Sequence, residues 1–187
     1  MKLKNSRSLV LTWQVAAIEA RNLGAPMIEP THPFLGCCKV VDLDLPAFIS
    51  KKNAGYNDVL EEALREVRKI RTIFQTLNVN AMTLRRRLRQ VAAQGRRFPA
   101  DAGVLHRSDA SKEIFSQAEQ LAQVGDALIY PIHLLYAVLI AEDEARDEVL
   151  SELKIDKQRL QELLKTDLFL RAGKSASLKS NTKAKWN

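Results

Sequence analysis

The chain has 187 residues and a mass of 21.1 kDa, and its 46% hydrophobic and 27% charged residues are the balance of a folded domain, which excludes a disordered chain. No apolar run approaches the ~20 residues that span a bilayer, and 7 Gly and 6 Pro are few for a β-sandwich or barrel. The net charge of +7 is concentrated in residues 65–97 and 171–187 rather than spread evenly.

The first half of the chain, residues 8–93, predicts four helices. They are a first helix capped by Ser8, a second over Thr31–Val40, a third over Asn57–Thr76 and a fourth capped by Asn80. Gly24 is expected to end the first helix, because glycine accepts the left-handed closing conformation without strain. Pro30 marks the start of the second helix.

The second half, residues 108–168, predicts another four helices after a connecting loop over 94–107. They are a helix capped by Ser108 or Ser111 and ended by Gly125, then Ile132–Ala141, Glu144–Leu153, and a last helix capped by Asp156. The segment 171–187 is rich in Ser, Lys, Ala and Asn and is predicted to be a basic flexible tail or linker.

The two halves repeat each other. Gly24, Ile28, Pro30 and His32 match Gly125, Ile129, Pro131 and His133 at an offset of 101 residues, and Ala17 matches Ala118. Downstream, the pattern from Leu77 to Leu88 matches the pattern from Leu153 to Leu164 at an offset of 76 residues. The sequence therefore predicts an all-α fold of about eight helices, in two four-helix repeats related by a pseudo-two-fold axis.

The first repeat is longer because of an insertion near residues 41–56. Two interpretations stay open: a surface loop whose apolar residues pack back on the first repeat, or a flap that faces a partner. On the second interpretation the candidate partner-binding residues are Leu45, Phe48, Ile49 and Tyr56.

The ordered landmarks of the two halves resemble the double-repeat N-terminal domain of the Clp family of AAA+ unfoldases. The second repeat carries the better match, through Gly125-Asp126, Ile129, His133-Leu134-Leu135 and Leu153-x-Ile155-Asp156. The first repeat matches through Ile28-Glu29-Pro30-Thr31-His32 but departs from the family pattern at Arg21, at Pro33 and in the insertion.

The resemblance implies a non-catalytic module that recruits substrate proteins or adaptors to an AAA+ unfoldase. No glycine-rich phosphate loop of the G-x4-G-K-[ST] type occurs in these residues, so ATP hydrolysis by that mechanism is not expected from them. The module would act as the N-terminal domain of such an ATPase or as a separate accessory protein. No cofactor and no membrane are expected, and the adjacent pair Cys37 and Cys38, which cannot form a disulfide framework, favours the reducing cytoplasm.

An alternative function is nucleic-acid binding through the basic segment Arg65–Arg97 and the tail. Three consecutive arginines, Arg85 to Arg87, splay around a helix and cannot all line one face, and no aromatic platform accompanies them.

A third hypothesis is an enzyme that uses His32, His133 and Cys38. The two histidines recur at equivalent positions of the repeats, which favours a structural role. Zinc needs three or four converging ligands, and no such spacing is present, so no metal site and no catalytic residue are predicted.

Overall fold

A computed structural model describes residues 3–49, 56–93, 104–125 and 128–183 of the chain. In chain order the elements of the first half are β1 (Lys4–Asn5), α1 (Arg7–Asn22), α2 (Thr31–Asp42), α3 (Leu45–Phe48), α4 (Tyr56–Thr76) and α5 (Ala81–Ala93). Those of the second half are α6 (Asp109–Gln123), β2 (Leu128–Ile129), α7 (Pro131–Ile140), α8 (Glu144–Glu152) and α9 (Lys157–Lys183). The all-α prediction is confirmed, with α3 as an additional short helix and two strands of two residues each.

The first helix of each repeat begins at a serine cap. Ser6 accepts a hydrogen bond from the amide of Leu9, and Ser108 accepts one from the amide of Ser111. The predicted cap Ser8 is wrong, because its hydroxyl and amide are both held by Glu62 of α4.

These caps correct the alignment of the two helices by one residue. Counted from Ser6 and Ser108, the partner of Ala118 is Ala16 rather than Ala17. Ala16 and Ala118 are both fully buried, whereas Ala17 is only partly buried. The helix α1 has 16 residues and α6 has 15, which restores the offset of 101 residues at Gly24 and Gly125.

In each repeat the segment before the first helix pairs with the backbone of the other repeat. β1 pairs in parallel with β2, and the amide of Ser6 donates to the carbonyl of Ile129 at 2.9 Å. In the reciprocal arrangement Ile28 pairs with Arg107, and the amide of Ser108 donates to the carbonyl of Ile28 at 3.2 Å. This exchange is the arrangement that a two-fold axis produces.

The ends of α4 and α8 are also equivalent in detail. Among the described residues other than glycine, Asn78 and Lys154 have positive φ, of 54° and 55°, and they are related by the offset of 76 residues. In both cases the next amide, of Val79 or Ile155, donates to a carbonyl five residues back. Asn80 and Asp156 then accept from the amides of Thr83 and Arg159, which confirms both predicted caps.

In the first repeat the turn after α1 has the left-handed glycine conformation that the sequence predicts. Gly24 has a φ of 62°, and its amide donates to the carbonyl of Arg21. The corresponding turn after Gly125 runs into residues 126–127, which lie outside the described residues. Ile28 and Ile129, the next landmarks of the repeat, are both buried.

One hydrophobic core joins the two repeats. Its buried side chains come from both halves, and its centre is formed by the apolar helices α2 and α7, which contribute Phe34, Leu35, Leu134 and Leu135. A second, smaller cluster forms between α1, α2, α3 and α4. Each repeat therefore supplies only part of a shared interior.

The extra length of the first repeat lies in two places. Part of it is the excursion around α3, whose residues 50–55 lie outside the described residues, and part is the greater length of α4, with 21 residues against 9 in α8. The connecting loop 94–107 is described only from Val104 onwards, and these last residues lead into the pairing of Arg107 with Ile28.

The predicted flexible tail is also corrected, because α9 continues through Lys183. Ser, Ala, Lys and Asn are compatible with helix, and the segment 171–183 contains no proline, so the helix can propagate beyond the core. Residues 184–187 lie outside the described residues. None of the described helices combines the length and the apolar composition that crossing a membrane requires.

Candidate functional site

Two aromatic side chains meet where α1 and α6 come together. The rings of Trp13 and Phe115 pack edge to face with their centroids 4.9 Å apart. Counted from the caps Ser6 and Ser108, they occupy equivalent positions of the two repeats. Equivalent residues that contact each other lie at the symmetry axis, so this aromatic pair marks the pseudo-two-fold.

A groove of about 490 Å³ opens beside this pair, and we call it the α1–α6 groove. It is lined by Leu3, Asn5, Leu9, Val10, Trp13, Arg107, Lys112, Phe115, Ser116, Glu119 and Ile129. Its floor is apolar and its rim carries charge, which is the usual composition of a site that binds a side chain and orients a polar group.

Arg107 lies over the aromatic pair. Its guanidinium carbon is 5.7 Å from the centre of the Trp13 ring and 5.1 Å from that of Phe115. Within the described part of the chain Arg107 has no ion pair, whereas Lys112 at the same rim is held by Asp109 at 2.7 Å. Glu119 accepts a hydrogen bond from the amide of Leu3. Arg107 is therefore the cation of this rim that is available to a carboxylate.

A second opening, of about 380 Å³, lies between α1, α3 and α4, and we call it the Phe48 cleft. It is lined by Arg7, Val10, Leu11, Gln14, Phe48, Ile49, Val59 and Ala63. Phe48 is 43% exposed. An aromatic side chain that remains this exposed beside an opening is available to a partner.

The other residues of the predicted flap are placed differently. Leu45 is buried against the cluster of α1, α2 and α4, and Ile49 is almost completely buried at the edge of the Phe48 cleft. The hydroxyl of Tyr56 donates to the carbonyl of Pro46. The described part of the insertion thus packs back on the first repeat. Leu45 is therefore corrected from a partner contact to a core residue, because burial removes it from the surface.

Val10 connects the two openings. It lines both the α1–α6 groove and the Phe48 cleft, and 45% of its surface is exposed. The outer face of α1 from Val10 to Trp13 therefore runs between two apolar depressions. No motif in the sequence marks Val10, Trp13 or Phe115, and the equivalence of Trp13 and Phe115 appears only when the two helices are aligned from their caps Ser6 and Ser108.

The two histidines have the same structural role. Nδ1 of His32 accepts a hydrogen bond from the amide of Glu29 at 2.8 Å, and Nδ1 of His133 accepts one from the amide of Tyr130 at 2.9 Å. Both rings are buried, and each satisfies a backbone donor at the start of its helix. The repetition of this contact supports the structural interpretation of His32 and His133.

The two cysteines are buried thiols in the shared core. Burial raises the pKa of Cys37 to about 12 and, with the neighbouring Cys37, raises that of Cys38 well above its usual value. A nucleophilic thiolate needs the opposite shift. Among the described residues no group of three or more His, Cys, Asp or Glu side chains is placed to hold a metal ion.

The basic residues of the Arg65–Arg97 segment are divided between two grooves. Arg65, Arg68 and Lys69 line a groove between α4 and α9, and Arg85, Arg86 and Arg89 line another between α5 and the end of α1. Arg87 is held by Glu152 of the second repeat through hydrogen bonds of 2.7 and 2.8 Å. Arg96 and Arg97 lie outside the described residues. The segment therefore does not form one continuous row of free cations.

The charged residues at the start of α8 are partly buried. Arg146 is fully buried and donates to the carbonyls of Val138 and Ala141 at the end of α7. Asp147 accepts from Arg146 and, at 2.6 Å, from Lys157. Burial opposes the ionisation of Asp147, but the hydrogen bonds from Lys157 and Arg146 and their positive charges outweigh it and hold its pKa below the usual range.

The arrangement of the helices is similar to that of known structures. No protein-family model matches the sequence, and no curated protein sequence matches it. Solved structures match in fold. A chain from a malarial protein secretion system superimposes with a TM-score of 0.59 and 18% identity, over 88% of this chain and 95% of that one.

Two further solved structures are N-terminal domains. The Hsp104 N-terminal domain of Candida albicans has a TM-score of 0.58 at 11% identity, over 88% of this chain and 89% of that chain. The N-terminal domain of the chaperone ClpD from Arabidopsis thaliana has a TM-score of 0.51 at 16% identity, over 88% of this chain and 94% of that chain. Together with the duplicated four-helix arrangement and its exchanged leading segments, these matches show that the chain has the fold of a Clp N-terminal domain.

Proposed function

We propose that this chain is a non-catalytic protein-interaction module that recruits substrate proteins or adaptors to an AAA+ unfoldase or chaperone. It would act as the N-terminal domain of such an ATPase or as a separate accessory protein. The cytoplasm is the compartment that fits the two free, buried thiols.

The observation that carries this proposal is the apolar surface around Val10. Val10 and Phe48 are 45% and 43% exposed, and they border two depressions that are separated only by α1. An extended apolar segment of an unfolded protein could place one side chain beside Trp13 and another beside Phe48. Such a segment gains most of its affinity from a few buried anchors.

Arg107 adds a polar contact to this surface. Its guanidinium lies over the aromatic rings and has no ion pair among the described residues, so it can pair with a carboxylate of the bound segment without losing an internal partner. This combination favours client segments in which an apolar side chain stands close to an acidic one.

The test is the binding of a fluorescently labelled, reduced and alkylated albumin, measured by anisotropy. Val10→Ser and Phe48→Ala each remove one exposed apolar contact, and each is expected to weaken binding about fivefold, the equivalent of about 1 kcal/mol. Both side chains are substantially exposed, so the helical circular dichroism should stay unchanged.

The chain offers a matched control on the same helix. Ile18 is 46% exposed, as Val10 is, but it lines neither the α1–α6 groove nor the Phe48 cleft. Ile18→Ser should leave the affinity at the wild-type value. Equal weakening by Ile18→Ser and Val10→Ser, or no binding of the unfolded protein by the wild type, would refute the proposed surface.

A further inference from the structure

A separate groove of about 480 Å³ lies between α5 and the end of α1, and we call it the α5 arginine groove. It is lined by Leu23, Met82, Arg85, Arg86, Arg89, Gln90 and Ala93. Met82 is 51% exposed, so the groove combines an apolar contact with three guanidinium groups. None of its lining residues belongs to the α1–α6 groove or to the Phe48 cleft.

The positive charge of this groove is only partly balanced. Arg89 pairs with Glu19 at 3.1 Å, and the carboxylate of Glu19 is 7% exposed. Among the described residues Arg86 has no ion pair, and one buried terminal nitrogen of Arg85, Nη1, has no hydrogen-bond acceptor. Three cations therefore face one internal carboxylate, and the groove is complementary to an acidic ligand.

The second repeat shows that the fold does not require Arg85 and Arg86. At the offset of 76 residues, α9 has Gln161 at the position of Arg85 and Glu162 at the position of Arg86. Gln161 donates to the carbonyl of Leu139 at the end of α7, a neutral contact that serves the same helix packing. At the position of Arg89, α9 has Lys165, so it is the adjacent pair Arg85 and Arg86 that is specific to the first repeat. This pair needs an explanation beyond the packing of the fold.

The shape and composition favour a protein segment over a nucleic acid. Met82 and Leu23 place apolar surface next to the guanidinium groups, and none of the described residues that line the groove is an aromatic residue on which a base could stack. The remaining arginine of the run, Arg87, is held by Glu152 and cannot extend the groove into a row of phosphate contacts. Methionine adapts its shape to aliphatic side chains, and arginine binds carboxylates with two parallel hydrogen bonds.

We propose that the α5 arginine groove is a second docking site, which binds an acidic segment of a partner protein that carries an aliphatic side chain between its carboxylates. The aliphatic side chain packs on Met82 and Leu23, and the carboxylates pair with Arg85 and Arg86. The site is independent of the surface around Val10, so the chain could hold a partner at the α5 arginine groove and a client at the α1–α6 groove at the same time.

The experiment measures the anisotropy of a fluorescent peptide of Glu-Glu-Leu repeats with the full chain. Arg86→Glu reverses an exposed charge that has no internal partner, and we expect it to weaken the binding of this peptide at least tenfold. Met82→Ser should weaken it several-fold. The matched control is Arg68→Glu, another exposed arginine of a helix, which lines the groove between α4 and α9 and should leave the affinity unchanged.

Each alternative has its own outcome. If Arg68→Glu weakens the peptide as much as Arg86→Glu, the attraction is a general effect of charge and the site is refuted. If a peptide with Ser in place of Leu binds as tightly, the aliphatic contact is refuted. If an oligothymidylate binds more tightly than the peptide and loses affinity in Arg86→Glu, the groove is a nucleic-acid site. Val10→Ser should not change peptide binding, which separates this proposal from the proposed function.

Discussion

Gly36 of α2 faces the backbone carbonyl of Thr12 on α1 so closely that a Cβ atom at Gly36 would lie 2.6 Å from that oxygen. The same Cβ would lie 3.1 Å from Cβ of Ala16. Two helix backbones can approach this far only where one of them has no side chain. At the offset of 101 residues the second repeat has Ala137, which is also fully buried. At Gly36 the backbones of α1 and α2 therefore lie closer together than those of α6 and α7 at the equivalent residue Ala137, where a methyl group is accommodated.

We expect Gly36→Ala to destabilise the protein, although alanine is the better helix former. The gain in helix propensity is about 1 kcal/mol, whereas forcing a methyl group against a backbone carbonyl costs about 2 to 3 kcal/mol. The net loss in the free energy of unfolding should be about 1 to 2 kcal/mol in urea denaturation. The reciprocal control Ala137→Gly should cost about 1 kcal/mol through the loss of propensity and packing. A Gly36→Ala protein that is more stable than the wild type would contradict the close approach.

Asp147→Asn is expected to destabilise the junction of α7, α8 and α9. Arg146 is fully buried, and Asp147 is the carboxylate that balances its charge, so the substitution leaves a buried cation with carbonyl partners alone. Because 37% of the Asp147 side chain is exposed, the loss should be about 2 kcal/mol rather than the larger cost of a fully buried pair. Urea unfolding at neutral pH measures it.

The ion pair of Arg146 and Asp147 also predicts how the stability of the fold depends on pH. The pKa of Asp147 is lower in the folded protein than in the unfolded chain, so its ionised form stabilises the fold at pH values above the unfolded pKa. That contribution is lost as the pH falls through the folded pKa. The stability of the wild type should therefore fall more steeply in acid than that of Asp147→Asn, and the two curves should converge at low pH. Parallel curves would contradict the assignment.

The sequence predicts the helices and the repeat because these depend on local pattern. Gly24, Asn80 and Asp156 carry a local backbone signal, and all three lie where that signal places them. Groups that are distant in the sequence determine that Ser6, and not Ser8, caps α1. The chain at Ser6 is fixed by the carbonyl of Ile129, and Ser8 is taken by Glu62. No local pattern contains either partner.

The candidate site depends almost entirely on such distant contacts. The apolar residues Leu45 and Phe48 read alike in the sequence, but Leu45 enters the core while Phe48 is left beside a cleft. Trp13 and Phe115 are about a hundred residues apart and meet only because the two repeats pack around an axis. Periodicity assigns residues to a helix face, but it does not say which faces the second repeat will cover.

The thiols give a prediction that separates a structural from a catalytic role. With the pKa of Cys37 at about 12, only about one thiol in ten thousand is ionised at pH 8, and both sulfur atoms are buried. We expect neither Cys37 nor Cys38 to react with a chromogenic disulfide reagent in the native protein at this pH. Both should react at once in guanidinium chloride, which serves as the control. Rapid reaction of one thiol in the native state would revive the enzyme hypothesis.

His133 provides the last test, because its buried ring accepts a hydrogen bond from the amide of Tyr130 at the start of α7. His133→Ala removes this acceptor and leaves a cavity in the shared core, so the free energy of unfolding should fall by about 2 to 3 kcal/mol. His133→Asn keeps an acceptor on a short side chain and should recover part of the loss. Since His32 makes the equivalent contact with Glu29, His32→Ala and His32→Asn should follow the same order. Urea denaturation of the four variants measures this order. A structural pair requires both positions to behave alike, and a position at which alanine is as stable as histidine would show that this ring is kept for another purpose.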